Sequence, residues 1–544
     1  MQMTRNSWHL TLVLALALVI VACTSSATST VEASNNNDNV EGDPEAFVLS
    51  QDVGPVGEAI PGLADGQRLL AWIAPASAPG EQPSNTPGEL VFFNPDGSTE
   101  TILALPERTR DVIACGPNAT SPDGSTFVFA VVTVDDRANV YMMQGSSSDL
   151  ITLLTDVNPA VCFGSTPFAF SADGSQMAFV EWPLDATEMT SPFGFLRIFD
   201  VASGSETNTF ENVTTFQWTA SGATWVSFFP NDQGEATEVA ITTWDGTVDI
   251  EVSALVGDEE NDCYYNSASI DEVSTGLMAI MGYRCNLGDV TSTQWQIYNI
   301  DPANRTAQLE LTDVASGRYF FFTDTNAIFP SPDGSTVLFT LPDGVTTQTA
   351  ALFSTAVDTI EPTELINRSA VMPSVSDTPY DANNATAQVS PDGRYLAVVV
   401  NTPNNDATLN IYDLSDASVP PIVMDAGDSG DTIADFVFDT ANERMFFVAG
   451  TDEGGNNSLF SLDLNTGTEQ RIRRGRYAQM VASPDGSTVA IMNWVEFDAE
   501  EPLYLTLEVI DVESTVPTVI YVGGTVDEEG DLAEQAFAYP LAWR

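Results

Sequence analysis

The most regular feature of the chain is a short apolar run, a polar tight turn and a second apolar run. Ser121-Pro122-Asp123-Gly124 precedes Phe127-Val128-Phe129, Ser331-Pro332-Asp333-Gly334 precedes Val337-Leu338-Phe339, and Ser390-Pro391-Asp392-Gly393 precedes Tyr395-Leu396-Ala397-Val398. Ser171-Ala172-Asp173-Gly174, with Phe168-Ala169-Phe170 ahead of it, and Ser483-Pro484-Asp485-Gly486 complete five good copies. Proline presets the first turn position, aspartate tolerates the second, and glycine takes the positive φ that closes a hairpin. Weaker copies fill the gaps at Ala64-Asp65-Gly66, Ala220-Ser221-Gly222, Ser274-Thr275-Gly276 and Thr440-Ala441-Asn442. Markers near 65, 123, 173, 221, 275, 333, 392, 442 and 485 give a period of about 52 residues, within reach of a repeat architecture.

The second half of each period is also regular. A third strand is predicted at Leu196-Arg197-Ile198-Phe199-Asp200, Leu409-Asn410-Ile411-Tyr412-Asp413 and Leu459-Phe460-Ser461-Leu462-Asp463, and a fourth follows each. Four short strands per period is the blade of a β-propeller, and no stretch sustains a capped helical period. The expected fold is all-β: a single propeller over residues 64–544 with eight or nine four-stranded blades. The nine markers favour nine, whereas the usual range of blade numbers favours eight with one degenerate module.

The first module lacks an obvious inner strand, because residues 51–63 are rich in Gly and Pro. The chain ends on Gln535-Ala536-Phe537-Ala538-Tyr539-Pro540-Leu541-Ala542-Trp543, a strand pattern with no turn after it. Unpaired edges invite aggregation, so residues 536–543 are predicted to pair with 67–74 and close the ring. The competing candidate is Ala46-Phe47-Val48-Leu49-Ser50.

The repeated turns resemble those of the TolB-like, WD-repeat-like propeller family, over roughly residues 64–544. The resemblance implies the fold and leaves function open. Periplasmic translocation partners, regulatory propellers of serine peptidases and plain scaffolds share the motif.

At the other end, Arg5 and the apolar run Leu10 to Ala22 read as a targeting segment, too short for a comfortable membrane span. Val21-Ala22-Cys23 resembles the lipobox of bacterial lipoproteins, which implies cleavage before Cys23 and diacylation of its sulfur. A secretion signal with an incidental cysteine is the alternative. The expected organisation is a signal peptide over 1–22, a lipidated Cys23 with an acidic tether over 23–63, and the propeller beyond. The protein is expected to lie outside the cytoplasm, held to a membrane by its lipid.

Four further cysteines in an oxidising compartment predict two disulfides. Cys263 and Cys285 are equidistant from the turn at 274, so antiparallel pairing sets them opposite one another. Cys115 and Cys162 open the inner strands of consecutive modules and are expected to bridge neighbouring blades. Free buried thiols are the alternative.

Charge removes most chemistries. The chain carries 77 acidic residues against 17 basic ones, a net charge of −60. Such a field repels nucleic acid. All the basic residues are arginines and the one histidine, His9, leaves with the signal, so the mature chain holds neither lysine nor histidine. A Ser-His-Asp triad, an imidazole zinc site, a lysine Schiff base and a phosphate loop are excluded. No catalytic residue is assigned and no cofactor is expected. Structural calcium is a weak candidate at Asp425, Asp428 and Asp431, and in the run Asp258 to Asp262; a solvated turn is the default for both.

One cationic cluster remains, Arg471, Arg473, Arg474 and Arg476. It is placed in the connection between two modules, on the same face as the long loops 75–88, 181–194 and 493–503, which carry Trp182, Phe193, Trp494 and Phe497. Arginine with aromatics suits recognition of a protein, peptide or anionic glycan; neutralisation of nearby acids is the competing reading. The leading expectation is a monomeric binding or scaffold module for a cell-envelope protein or polysaccharide. The rival is a carboxylate-based carbohydrate-active hydrolase or lyase on the same ring.

Overall fold

The computed structural model describes residues 54–544 outside 58, 61–66, 76–87, 107–108, 116–118, 146–148, 163–167, 185–193, 231–235, 245–248, 257–262, 288–289, 316–327, 343–349, 367–386, 402–406, 417–418, 426–432, 440–443, 451–455, 496–503 and 527–531. The targeting segment, Cys23 and the competing strand at 46–50 lie outside the described residues.

The strands form an all-β propeller of antiparallel blades. Blade 1 joins Leu69–Pro75, Glu89–Phe93 and Thr99–Ala104 to the C-terminal strand Leu532–Trp543, which is its inner strand. Blade 2 runs Thr109–Ala114, Thr126–Thr133, Arg137–Gln144 and Leu150–Val157. Blade 3 takes Phe168–Phe170, Gln176–Glu181, Gly194–Asp200 and the first half of the long strand Ser205–Thr219. Blade 4 borrows the second half of that strand as its inner strand and adds Gly222–Pro230, Ala236–Trp244 and Asp249–Val256. Blade 5 spans Cys263–Val273 to Thr306–Ala315, blade 6 Ile328–Pro330 to Thr363–Ile366, and blade 7 Ala387–Val389 to Ile422–Asp425. Blade 8 is Ile433–Asp439, Arg444–Ala449, Asn457–Asp463 and Thr468–Gly475; blade 9 is Tyr477–Ala482, Thr488–Val495, Tyr504–Asp511 and Pro517–Val522. Among the described residues, eight blades thus bring four strands of their own, and a ninth unit, blade 4, shares a strand with its neighbour. The marker count and the expectation of one irregular module both describe this ring.

Each blade is apolar on both faces, and alternation along a strand divides its side chains between two neighbours. In the second strand of blade 2, Val128, Ala130 and Val132 pack into the core shared with blade 3, and Phe127, Phe129 and Val131 into the core shared with blade 1. The pattern recurs at every seam, giving nine interblade cores among the described residues. The core between blades 9 and 1, with Leu69, Phe93, Leu507, Tyr521 and Trp543, completes the circuit.

The closure prediction holds. Leu69 pairs with Trp543, Trp72 with Tyr539 and Pro75 with Ala536. On the N-terminal side Gly54–Pro55 adds to the ring among the described residues, against Val522 and Tyr521 at the outer edge of blade 9, and Ile60 packs into the core between blades 9 and 1.

The five turns are built alike, with glycine φ from 62° to 74°. In each, the aspartate accepts the hydroxyl of the serine two residues earlier (2.5–2.7 Å) and the N–H two residues later (3.0–3.1 Å). The same serine oxygen accepts the N–H five residues on, at 2.8–3.0 Å. These donors hold Asp123, Asp173 and Asp333 down at about 2, led by the Ser121 hydroxyl for the first and by the Ser175 and Ser335 backbone N–H for the others.

The inner edges carry a second device. The Trp218 indole donates to Ala169 O (3.0 Å) in the preceding blade, and the Trp543 indole donates to Val481 O (3.1 Å). Each acceptor lies two residues before the serine of its turn. The Asp435 carboxylate of blade 8 accepts Met480 N–H of blade 9 at 2.9 Å, and Gln479 donates to Pro540 O of blade 1 at 3.3 Å. Side chains of a neighbouring blade thus satisfy backbone groups on these inner edges.

Both predicted disulfides are present. Cys263 and Cys285 are direct cross-strand partners with Cα atoms 4.1 Å apart. Cys115 and Cys162, 4.2 Å apart, join blades 2 and 3 within their shared core. Cys115 directly follows its inner strand rather than opening it, and Cys162 ends a short 3-10 turn, Pro159–Cys162. Closing loops of 22 and 47 residues is worth roughly 3–4 kcal/mol each in the chain-entropy account. Such bonds fit an oxidising, extracytoplasmic compartment. No helix among the described residues is long and apolar enough to cross a membrane.

Two predictions follow from these devices. Trp543→Phe keeps a ring in the closing core and strands the Val481 carbonyl, so it should lower stability by about 1–2 kcal/mol in denaturant unfolding, as should Trp218→Phe at Ala169. Because the turn aspartates sit below their unfolded value of 3.8, the stability they add is present above pH 3.8 and is lost as pH falls toward 2. Acid unfolding followed by circular dichroism should show this loss, and Asp333→Asn should flatten it.

Candidate functional site

Of the residues expected to form a binding face, the structure describes the four arginines, Trp182 and Trp494. Arg471, Arg473 and Arg474 lie within the outer strand of blade 8, Thr468–Gly475, and only Arg476 lies in the connection to blade 9. This corrects the expected placement of the whole cluster in a connection. The strand continues further than the turn spacing implied, because it pairs along the full third strand.

Its register also divides the cluster. Arg473 stands opposite Leu459, which packs toward blade 9, whereas Arg471 stands opposite Phe460, which packs toward blade 7. Arg474 is opposite Ser458, on the same side as Arg471. Arg473 acts on Tyr477 and Glu508 in the seam between blades 8 and 9. Arg471 and Arg474 are exposed, and Arg476 is half-buried.

Trp494, at the end of the second strand of blade 9, is 37% exposed. Its N–H donates to Arg476 O at 2.9 Å, which fixes the connection beside it. Its ring begins an aromatic ladder: Phe537 at 6.2 Å, Tyr539 a further 6.3 Å on, and Trp72 stacked on Tyr539 at 4.9 Å. Phe537 and Tyr539 are half-buried and come from the closing strand. Burial, then Asp111 of blade 2, pushes the Tyr539 hydroxyl up to about 12. Sequence reasoning placed these two rings in the closing strand without seeing them as part of this face. Their alternation was the available signal.

Trp182 is half-buried and packs against the core between blades 3 and 4, away from the arginines. Phe193 and Phe497 lie outside the described residues, as do Asp428, Asp431 and the run 258–262; Asp425 is described only as the end of a strand. Among the described residues no cluster of three metal-ligating side chains occurs.

Two carboxyl groups are strongly perturbed. Burial pushes Asp271, on the inner strand of blade 5, up to about 7, although its Oδ1 accepts the Gln217 amide of blade 4 at 3.1 Å. The neighbouring Glu272 accepts Ala220 N–H at 2.7 Å, so this pair clamps blade 4 to blade 5. Glu508 is pushed up by burial in the seam between blades 8 and 9. The Tyr477 hydroxyl beside it is also pushed up by burial, the wrong direction for a nucleophile.

No family model matches this chain, and no curated protein matches it. Solved structures are similar to it in fold. A prolyl endopeptidase structure shares 13% identity with a TM-score of 0.41, over 75% of this chain and 55% of that one. Dipeptidyl peptidase 4 of Porphyromonas gingivalis shares 10% identity with a TM-score of 0.44, over 75% and 59%. The propeller domain of the Trilobed protease from Pyrococcus furiosus shares 12% identity with a TM-score of 0.38, over 66% and 97%. The chain spans little more than half the length of the first two. These likenesses extend to the propeller architecture and no further; the fold itself rests on the strand pairing above.

Proposed function

We propose that the protein is a membrane-anchored, extracytoplasmic binding propeller that engages an envelope protein or polymer through the connection-bearing face of blades 8, 9 and 1. The anchor is the acylated Cys23, and kinship with TolB-like propellers is part of the same reading. The observation that supports it is the Trp494–Phe537–Tyr539 ladder, with the Arg476 main chain hydrogen-bonded to Trp494, in a chain whose charge is otherwise overwhelmingly negative. Aromatic rings supply stacking area at small entropic cost, and arginine supplies planar, charge-assisted donors for carboxylate or sulfate groups. The surrounding negative field opposes approach of an anionic polymer, so recognition must be local and should strengthen as salt screens that field.

Arg473 is excluded from the test because it serves the seam. The combined substitution Arg471→Ser, Arg474→Ser and Arg476→Ser should weaken retention on immobilised dextran sulfate, or capture of the envelope partner by pull-down, about tenfold for each 1.4 kcal/mol lost. Its melting temperature should stay within a degree or two of wild type, by the small effect of surface substitutions. Unchanged retention and capture would overturn the reading, and equal loss of binding and stability would assign the arginines to neutralisation. Separately, Cys23→Ser should release the protein from membranes and abolish acyl labelling; an unmodified Cys23 in the mature protein would remove the anchor from the proposal.

A further inference from the structure

The chain enters the ring along the outside of the seam that closes it. Gly54 and Pro55 pair with Val522 and Tyr521 on the outer strand of blade 9, and the Val56 N–H donates to Ile520 O at 3.0 Å. Ile60 then drops into the core shared by blades 9 and 1, where it is buried, and its N–H donates to Pro95 O at 2.9 Å. Pro95 belongs to the turn between the third and fourth strands of blade 1, at the end of the ring that bears the hairpins. The strap from Gly54 to Ile60 is therefore held at both ends of the closing seam, and its direction is fixed.

Register places Gly54, Val522, Thr506, Asn493 and Tyr477 on one rung across blade 9, with Trp494 opposite Leu505 on the next. At a strand spacing of about 4.8 Å, Gly54 lies roughly 15 Å from Asn493. The crossing from blade 9 to the closing strand is at the same level. The Gly523 N–H donates to Leu505 O at 2.7 Å, and Gly523 O accepts the Ala536 N–H at 2.8 Å. A Cβ at Gly523 would collide with the Leu505 and Ala536 carbonyls, so only glycine passes there. The entry of the strap, the crossing and the exposed Trp494 thus share the connection-bearing end of blade 9, and the strap leads away from it toward the hairpins.

We propose that the strap orients the ring on its anchor, so that the connection-bearing face of blades 8, 9 and 1 is membrane-proximal and its partner lies between the ring and the bilayer. The inference rests on the anchored-binding reading above and adds where the partner must be. The 30 residues between Cys23 and Gly54 span at most about 110 Å, which limits the depth of that space. The anchored chain meets the ring at the end that holds Trp494. The hairpin ends stand a blade height further off, about 25 Å for the second strand Thr488–Val495. The net charge of −60 keeps the ring from settling on an anionic leaflet, which leaves the space in front of the face to a partner held at that membrane.

The composition supplies the test. Four of the five cysteines are in disulfides, so Cys23 is the thiol left for coupling, and the mature chain has no lysine. The mature protein is coupled through Cys23 to phosphatidylcholine vesicles that also carry an amine-reactive headgroup lipid. One lysine is introduced at a time, by Arg474→Lys near the proximal end of blade 8 or by Glu513→Lys in the exposed turn at the far end of blade 9. Peptide mass spectrometry reads the modification of each lysine, normalised to a water-soluble reagent of the same chemistry. The lipid-borne reagent should favour position 474 over 513 by about threefold or more, since effective concentration falls with separation. Equal or reversed labelling would overturn the proposal. Val56→Pro removes the N–H bonded to Ile520 O and should bring the two positions toward equality; an unchanged preference would overturn the strap's part in it. Coupling at Cys23 makes the result independent of acylation in the cell. No partner is present, so failure here is distinct from the loss of dextran sulfate retention that tests the face itself.

Discussion

A sheet with two apolar faces cannot be stable alone, and that constraint organises the whole molecule. Each blade buries Val, Ile, Leu and Phe on both sides, so each needs a neighbour on both sides. A row of such blades leaves two raw faces until it bends round and meets itself. The core between blades 9 and 1 is therefore the contact on which the other eight seams depend. It is made by a strand from the far end of the chain, pairing Leu69–Pro75 with Ala536–Trp543. Arg544 extends the join past blade 1. It donates to Gly124 O and Thr120 in blade 2 and lies over the Phe127 ring, and burial lowers its guanidinium to about 10.

Much of this was legible because the turn chemistry is so demanding. A hairpin that needs glycine at positive φ, an aspartate with free oxygens and a serine able to give and accept leaves few alternatives at each position. Five such turns at a regular spacing forced an antiparallel repeat. The Cys263–Cys285 pairing followed from the same logic, since a turn of known position sets which residues face each other. The closing strand was readable for a different reason: residues 535–543 had the pattern of an inner strand and nothing of their own to pair with. Blade 4 was the irregular module, and its irregularity is physical. The long strand Ser205–Thr219 bends through a register shift near Val213 to serve two blades at once.

What escaped the sequence was anything that depends on which side of a strand a residue faces across a register shift. Four arginines within six residues looked like one patch. A bulge between Leu459 and Phe460 instead sends Arg473 into the seam, while Arg471 and Arg474 turn the other way. Trp218 and Trp543 pack in the seams and also serve as caps for the inner edges of their neighbours, a role no sequence pattern marks. Glu508 was one of 77 acids, and its burial in the seam comes from the packing of blade 8 against blade 9, which its own neighbourhood in the sequence does not mark.

The same acids pull stability in opposite directions, and their positions in the ring decide how. Turn aspartates, exposed at the hairpins between the inner and second strands, are ionised and rich in donors, so they favour the folded chain once the pH is above the carboxyl range. Asp271 and Glu508 sit in seams where donors are fewer than lone pairs, so they favour it below that range. The turns recur around the ring, whereas the two seam carboxyls each act at one place. Rising pH therefore leaves the framework of hairpins intact while it loads the blade 4–5 and blade 8–9 seams. The second of these lies under the aromatic ladder, and the first clamps blade 4 to blade 5, so the cost of ionising a buried carboxyl falls on two seams of the ring and on none of its hairpins.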